Sequence, residues 1–234
     1  MIDLHSHILP MMDDGSTSVE ESVALLDMLA AQGVQTVAAT PHIYATKDTP
    51  EDFLARRAES YARLAWGAEQ TPQILLGAEV AYFDGMSNVQ QLEKLQIGTS
   101  GLLLVEMPFA PWTDRMVETM CTLPEQRGLQ AVLAHVNRYC SRKQMKKYAD
   151  VLLSQGVLFQ CNPEGLLEGW DRRWLLKLLD KGDIHFLGSD AHNLTRRPPK
   201  LDQAADVIRR KLGAEILEEM NAQAAALLGM DPEE

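Results

Sequence analysis

The sequence predicts an α/β barrel of TIM type with about seven βα units. Short apolar runs alternate with amphipathic stretches from one end of the 234-residue chain to the other. This alternation implies parallel strands joined by crossover helices. Nearly every apolar run also ends in an ionisable side chain, as expected where a site is built at the C-terminal mouth of a closed barrel. An open doubly wound sheet would place its site at one crevice only.

The predicted strands are seven short apolar runs. They span residues 2–6, 35–41, 73–79, 101–106, 130–135, 157–162 and 184–189. Between and after these runs, apolar residues recur at helical spacing. These stretches predict helices near 18–32, 50–69, 113–127, 141–155, 170–181 and 201–228, the last being long enough for two helices.

The first helix is signalled at both of its ends. Ser18 is followed three residues later by Glu21, which is the capping-box pattern. Apolar residues recur at helical spacing from Val19 to Leu29. Gly33 then predicts the end of the helix.

Length and composition bound the class of protein. With 46% hydrophobic residues, the chain can form one domain with a substantial core, which we place at 1–234. The formal charge of −11 argues against a nucleic-acid surface. No apolar run reaches the roughly 18 residues of a membrane span, and no signal segment is recognised. Cys121, Cys140 and Cys161 are odd in number and form no C-x-x-C pair, so we expect no disulfide framework. These observations together lead us to expect a cytoplasmic protein without membrane insertion.

Ionisable side chains stand at the ends of nearly all predicted strands. The candidate metal ligands among them are His5, His7, His42, Glu79, Glu106, His135, Asp190 and His192. Carboxylates and imidazoles at the ends of buried strands are costly unless something pairs them. Because the set is spread over so many segments, we expect several metal ions. This mixture of ligands suits manganese, iron or zinc.

The period of two along a strand separates candidate ligands from structural residues. His5 and His7 are two apart and so share one face, although a lone His-x-His is equally compatible with a surface pair. His185 lies on the opposite face from Asp190, so we expect it to pack against the helices.

The loop after the first strand offers one more candidate ligand. Asp13-Asp14-Gly15 taken alone is typical of a turn. Beside a metal site, one of the two aspartates becomes a credible ligand, and we choose Asp14 over Asp13.

Arginines on the predicted mouth loops indicate an anionic substrate. Arg138 follows His135 by three residues, and Arg197 follows Asp190 by seven; taken alone, each is compatible with an ordinary surface group. Three divalent ions would bring six positive charges against four negative charges from the acidic ligands, which leaves the site positive. Since guanidinium forks suit phosphate, we predict hydrolysis of a phosphate ester.

A second phosphatase pattern is also present. Cys121 and Arg127 fit C-x5-R, the bare pattern of cysteine-dependent tyrosine phosphatases. That chemistry needs a thiolate in a cradle of backbone amides. The intervening segment contains Glu125, lacks glycine and has helical spacing, so we expect Cys121 to be a packing residue.

The combined motifs resemble those of a known family. They are Asp3-Leu4-His5-Ser6-His7, Asp13-Asp14-Gly15, Pro41-His42, Gly77-Ala78-Glu79, Glu106, Ala134-His135-x-x-Arg138 and Ser189-Asp190-x-His192-Asn193-x-x-x-Arg197-Pro198-Pro199. Together they resemble the polymerase and histidinol phosphatase (PHP) superfamily. Within it, the sequence is most similar to the manganese-dependent bacterial protein-tyrosine phosphatases of capsule and exopolysaccharide gene clusters.

The resemblance implies a distorted seven-stranded barrel, the PHP fold, that holds three manganese ions, with iron or zinc as alternatives. It implies one ion held by His5, His7, Glu79 and Asp190. It implies a second held by Glu79, Glu106 and His135. It implies a third held by Asp14, His42 and His192. Arg138 and Arg197 match the family's phosphate-contacting arginines.

The resemblance also implies an activity and a partner. A metal-activated hydroxide would attack phosphotyrosine, and the substrate would be the tyrosine-rich tail of a membrane-associated bacterial tyrosine kinase in capsule regulation. A histidinol-phosphate phosphatase-like enzyme, an amidohydrolase-type barrel and a catalytically idle metal-binding regulatory module are the rival interpretations.

Aromatic residues after the strand ends are candidates for a wall that receives the phosphotyrosine ring. They are Tyr44, Tyr82, Phe83, Phe109, Trp112 and Trp170. We expect at least half of them to be ordinary packing residues. Phe109 and Trp112 are our choice for contacts with substrate.

Overall fold

Strands and helices alternate along the computed structural model, which describes residues 1–67, 69–139, 143–168 and 171–230, the side chains of 143–145 excepted. The strands are β1 (Ile2–Ser6), β2 (Thr36–Ala39), β3 (His42–Ile43), β4 (Gln73–Leu76), β5 (Glu79–Ala81), β6 (Leu102–Glu106), β7 (Gln130–Leu133), β8 (Leu158–Cys161) and β9 (Phe186–Leu187). The helices are α1 (Val19–Ala31), α2 (Pro50–Leu64), α3 (Asp114–Arg127), α4 (Lys143–Ser154), α5 (Pro163–Leu167), α6 (Arg172–Asp180), α7 (Leu201–Lys211) and α8 (Ala214–Leu227).

The strands form a closed barrel in which neighbours run parallel. β1, β2 and β4 pair in that order, and β3, β5, β6, β7, β8 and β9 pair in a second run. β2 and β3 follow each other in one barrel position, as do β4 and β5. The barrel closes where the Asp190 N–H donates to His5 O at 2.7 Å and the His7 N–H donates to Ala191 O at 2.9 Å. Seven positions result, which confirms the predicted barrel.

The second and third predicted strands are each interrupted once. Pro41 separates β2 from β3, because proline has no N–H to donate to the ladder. Gly77 lies between β4 and β5, where an added Cβ would stand 2.9 Å from Ile97 Cγ1. Both interruptions come just before a candidate ligand, His42 or Glu79.

The ends of the helices partly follow the predicted signals. Ser18 Oγ accepts the Glu21 N–H at 3.2 Å, but the Glu21 carboxylate binds Thr17 instead of returning to Ser18, so only half of the capping box forms. Gly33 ends α1 with a φ of +82°. The last predicted helix is two, α7 and α8, which meet at Gly213 with a φ of +110°.

Other helix predictions need correction. α2 ends at Leu64, five residues early, because Ala65 turns into the left-handed region. The short helix α5 was not predicted. Among the described residues, no helix combines the length and apolar character needed to cross a membrane.

Alternating side chains build the barrel interior in layers. On β6, Leu102 and Leu104 lie beneath Glu106, and the two leucines share a buried cluster with Leu4, Ala38, Val132, Leu158 and Phe186. Helix α8 closes the lower end through Ala224, and Leu228, directly after the helix, belongs to the same cluster. The apolar layers therefore lie below, and the ionisable side chains lie at the mouth.

Candidate metal centre

The nine predicted ligands converge at the C-terminal mouth of the barrel. Pairs of imidazole and carboxylate side chains connect all nine, which are His5, His7, Asp14, His42, Glu79, Glu106, His135, Asp190 and His192. Six of these side chains are at most 4% exposed. The strand-end pattern therefore located a single cluster.

Glu79 lies at the centre of the cluster. Its Oε2 is 3.2 Å from His5 Nε2 and 3.4 Å from His7 Nε2. The same oxygen is 2.8 Å from His42 Nδ1, and Oε1 is 3.0 Å from His135 Nε2. Burial works against the charged form, but His5, His135 and His42 hold the pKa of Glu79 well below its usual value. One charged carboxylate thus contacts four imidazoles.

Asp190 links the cluster to the two predicted phosphate-contacting arginines. Its Oδ1 is 3.4 Å from His7 Nε2 and 3.7 Å from His5 Nε2. Its Oδ2 accepts from Arg138 Nη2 and, at 2.6 Å, from Arg197 Nη2. Burial works against the charged form, but His5, His7 and Arg138 keep the pKa of Asp190 well below its usual value.

Asp14, His42 and His192 form the outer part of the cluster. Asp14 Oδ1 is 3.6 Å from His42 Nε2 and 3.5 Å from His192 Nε2. Asp14 is 68% exposed, so this part meets solvent. Burial and the charge of His7 lower the pKa of His192 to about 4. The neutral imidazole can therefore offer a lone pair to a metal.

Ligand atoms lie within 4.8 Å of one another in three groups. The first group is His5, His7 and Asp190. The second is His7, Asp14, His42 and His192. The third is His42, Glu79 and Glu106. The resemblance implies that His135 is the histidine beside Glu79 and Glu106, whereas the third group contains His42 in that place. His135 is nevertheless close, because its Nε2 is 3.3 Å from Glu106 Oε1.

Several buried atoms of the cluster have no hydrogen-bond partner among the described residues. They include His42 Nδ1, Glu79 Oε2, His135 Nδ1 and His192 Nε2, so the short His42–Glu79 contact lacks hydrogen-bond geometry. Each such atom costs about 1–3 kcal/mol. Divalent ions engage imidazole nitrogens and carboxylate oxygens together. The residues therefore fit a metal centre.

Asp13 supports two histidines, although the prediction preferred Asp14. Its Oδ2 is 2.7 Å from His7 Nδ1 and accepts the His42 N–H at 2.8 Å. A proton held between Asp13 and Nδ1 leaves His7 Nε2 for the cluster. Asp13 thus has the contacts of a residue that positions His7 and His42, and no spacing rule in the sequence distinguishes such contacts from ligation.

A buried amide network beneath the cluster was not predicted. Gln160 Oε1 accepts the His135 N–H at 2.6 Å and lies 3.2 Å from His5 Nδ1. Gln160 Nε2 donates to Asn162 Oδ1, and Asn162 Nδ2 donates to Asp190 Oδ2, both at 2.8 Å. β8 carries no candidate ligand, yet Gln160 on this strand and Asn162 directly after it contact three of them, His5, His135 and Asp190. The available signal was the period of two that places Gln160 and Asn162 inward.

Phe109 and Tyr44 lie beside the cluster, as expected for a wall around a substrate ring. Phe109 is 45% exposed and stacks on His135, with ring centroids 5.9 Å apart and an interplanar angle of 15°. The ring of Tyr44 is 5.3 Å from that of His42. Burial and the charges of Glu106 and Glu79 raise the pKa of Tyr44 to about 12, so its phenol is neutral.

The choice of Trp112 for the wall is wrong. Trp112 is only 6% exposed, and its Nε1 donates to Pro108 O, so the indole belongs to the core. Tyr82 makes its hydrogen bonds away from the cluster, and Phe83 packs against the hydrophobic core. Trp170 lies outside the described residues. A position after a strand does not fix the direction of a side chain.

Cys121 lies within helix α3, as predicted. Burial and the charge of Glu118 raise the pKa of its thiol, whereas a nucleophilic cysteine needs a lowered one. Arg127, the other end of the C-x5-R pattern, donates to Ser87 O and Val89 O and pairs with Glu93. Neither residue reaches the cluster.

Comparison with known proteins agrees with the geometry. The tyrosine-protein phosphatase CpsB of Streptococcus pneumoniae is 32% identical over 231 residues, which cover 94% of both chains. A solved structure from work on YwqE of Bacillus subtilis and CpsB of Streptococcus pneumoniae, named unique metal-dependent tyrosine phosphatases, gives a TM-score of 0.78 at 25% identity. It covers 99% of this chain and 96% of that one.

More distant structures share the fold alone. A D-hydantoinase from Thermus sp. has a TM-score of 0.62 at 12% identity and covers 99% of this chain and 71% of that one. The sequence model of the capsular polysaccharide synthesis family CpsB/CapC, in contrast, matches residues 1–228. That match includes every strand of the barrel and every residue of the cluster, which confirms the resemblance: the chain belongs to the CpsB/CapC family.

Proposed function

We propose that this chain, as one domain over residues 1–234, is a metal-dependent phosphomonoesterase that dephosphorylates phosphotyrosine in proteins. The observation that carries the proposal is the environment of Asp190. One of its oxygens is near the histidine cluster, and the other binds Arg138 and Arg197. A metal site and two guanidinium groups that share one carboxylate suit a phosphate group. The named activities of the CpsB and YwqE relatives support phosphotyrosine as substrate.

We propose three divalent ions, with manganese as the native metal. His5, His7, Glu79 and Asp190 would hold the first. Glu79, Glu106 and His135 would hold the second. Asp14, His42 and His192 would hold the third. The central position of Glu79 and the three groups of closely spaced ligand atoms support this division.

Catalysis requires a nucleophile and neutralisation of phosphoryl charge. When bound, divalent ions lower the pKa of water to about 7 and stabilise charge on phosphoryl oxygens. Arg138 and Arg197 are each about one-third exposed and use one nitrogen on Asp190, so further N–H donors remain for the phosphate. Asn162 and the two arginines hold Asp190 in place. No covalent phosphoenzyme is needed.

We further propose the phosphorylated tyrosine-rich tail of a bacterial tyrosine kinase as substrate, in the cytoplasm, with a role in capsule or exopolysaccharide control. A direct test compares kcat/KM of the Mn²⁺-loaded protein for a phosphotyrosine peptide, histidinol phosphate and a small alkyl phosphate. We expect the peptide to be preferred by at least about tenfold, because Phe109 gives its ring an apolar contact. A preference for histidinol phosphate would overturn the proposal.

Phe109→Ala should raise KM for phosphotyrosine peptides about fivefold to thirtyfold and leave the affinity for Mn²⁺ unchanged. The change removes about 1–2 kcal/mol of apolar contact from a half-exposed ring. Steady-state kinetics and metal titration measure the two effects. Trp112→Ala is the contrast: it should lower the free energy of unfolding by about 3–5 kcal/mol, since that indole is buried. An unchanged KM in Phe109→Ala would rule out the aromatic contact.

Cys121→Ser should change kcat by less than about twofold, because the thiol is protonated and remote from the cluster. The Arg138→Lys variant, measured alongside, should have a kcat lower by about 10²-fold or more. Lysine cannot reproduce the planar set of N–H donors with which a guanidinium group binds phosphate. Loss of activity in Cys121→Ser with retention in Arg138→Lys would indicate the cysteine mechanism instead.

Asp13→Asn should weaken Mn²⁺ binding by about 10–100-fold, the usual effect of removing a carboxylate that orients a histidine ligand. The charged hydrogen bond to His7 Nδ1 is lost, and the imidazole is free to change tautomer. Titration of the metal-free protein measures the affinity. Equal affinity in Asp13→Asn and the wild type would remove Asp13 from the site.

A further inference from the structure

A positively charged cleft adjoins Asp190 at the rim of the mouth. It has a volume of about 260 Å³, and the ionisable residues that line it are Arg138, Glu164, Asp190, Arg196, Arg197 and Lys200. Four cations against two carboxylates leave two positive charges, in a chain whose formal charge is −11. A local excess of this sign attracts anions.

The four cations divide into an inner and an outer pair. Arg138 and Arg197 both bind Asp190, and the proposed function assigns them to the phosphate that is removed. Arg196 is exposed and Lys200 is half-buried. In the ranges that the structure describes, neither of these two side chains lies within 4 Å of a carboxylate oxygen. Among the described residues, the outer pair therefore has no carboxylate that neutralises it.

The backbone that carries the outer pair is held in one conformation. Asn193 Oδ1 accepts the N–H groups of Arg196 and Arg197 at 2.7 and 3.1 Å. Further along, Gln32 Nε2 donates to Pro199 O, and Gln32 Oε1 accepts the Leu201 N–H, both at 2.8 Å. A loop that is already ordered loses little entropy when it binds a ligand.

We infer that this cleft is a second anion subsite, which binds a negatively charged side chain of the substrate next to the phosphotyrosine. The inference rests on the proposed function and adds a sequence preference to it. A carboxylate or a second phosphate can supply the charge, since both accept hydrogen bonds from Arg196 and Lys200.

The test measures kcat/KM of the Mn²⁺-loaded full chain for four phosphotyrosine peptides. They differ only at the neighbouring position, which is Ala, Asp, Lys or a second phosphotyrosine. In the wild type, kcat/KM for the Asp peptide should be about fivefold higher than for the Ala peptide, as expected for contacts at a partly exposed site. The value for the Lys peptide should be lower than that for the Ala peptide. If kcat/KM is higher for the peptide with a second phosphotyrosine than for the Asp peptide, the subsite favours phosphate. If the two values are equal, the subsite accepts either anion.

The double variant Arg196→Gln/Lys200→Gln should bring the Asp-to-Ala ratio close to one. Arg210→Gln/Lys211→Gln is the matched control, because it removes two charges from the far end of α7, about 15 Å along the helix. In the control the ratio should stay at the wild-type value.

Three results would overturn the inference. They are a wild-type ratio of one, a ratio that survives in Arg196→Gln/Lys200→Gln, and an equal fall for all four peptides in that variant. Each of these leaves phosphotyrosine hydrolysis, and with it the proposed function, intact. If the Mn²⁺-loaded wild type hydrolyses none of the peptides, the proposed function fails and the inference fails with it.

Discussion

Treatment with a chelator should abolish hydrolysis of phosphotyrosine peptides, and added Mn²⁺ should restore it. The metal supplies the only Lewis acid that the proposed reaction has, and buried cluster atoms such as Glu79 Oε2 have no hydrogen-bond partner among the described residues. Neither Arg138 nor Arg197 can generate a nucleophile, because a guanidinium group offers hydrogen-bond donors only and has no acceptor for the proton of a water molecule. The residual rate should be at least about 10³-fold below that of the loaded protein.

The same treatment should lower the stability of the fold. Ions that bind the folded chain alone add about 2.7 kcal/mol at a free concentration of one hundred times Kd. The melting temperature should therefore rise with Mn²⁺ concentration, and Asp14→Asn, at the exposed edge of the cluster, should reduce that rise.

Magnesium at equal concentration serves as the control for ionic strength, since it prefers an octahedral shell of oxygen ligands to an imidazole-rich one. Elemental analysis of protein purified without added metal identifies the native ion. Full activity in the chelated, metal-free protein would contradict the metal centre and would leave the histidine cluster without an explanation.

The barrel and the cluster could be predicted because both follow from one rule. In a parallel barrel, strand ends meet at one mouth, so ionisable residues after apolar runs must converge there. The rule locates Glu79, Glu106 and His135 even though it does not predict where the second and third strands are interrupted. It does not say which oxygen contacts which ring, and so it could not divide the ligands among ions.

The parts that were missed depend on contacts between segments distant in sequence. Gln160 is a neutral amide within an apolar run, and its role appears only when His5 and His135 meet it across the barrel. Gly188 shows the same limit: an added Cβ there would lie 2.6 Å from His5 Cβ, a conflict invisible along the chain. Trp112 was misassigned for a related reason, since its indole packs against Tyr139 and Tyr148, which lie far from it along the chain.

Glu79→Gln should reduce kcat/KM for phosphotyrosine peptides by about 10³-fold or more. Its two oxygens contact four imidazoles from three different parts of the barrel. An amide of the same shape keeps the packing, but it carries no charge and replaces one acceptor oxygen with a donor. It therefore could not hold two ions together, as the proposed division of ligands requires of Glu79.

Glu125→Gln is the matched control, because it removes the same charge from an exposed position on α3 and should change the rate by less than about twofold. Metal content separates two explanations of a large effect. If Glu79 bridges two ions, Glu79→Gln should lose at least one equivalent of bound Mn²⁺. Glu106 is assigned to one ion only, so Glu106→Gln should bind metal more weakly than the wild type but keep more activity than Glu79→Gln. A Glu79→Gln protein that binds the full complement of metal and turns over at the wild-type rate would exclude the bridge, and the division of ligands among three ions would have to be drawn again around Asp190.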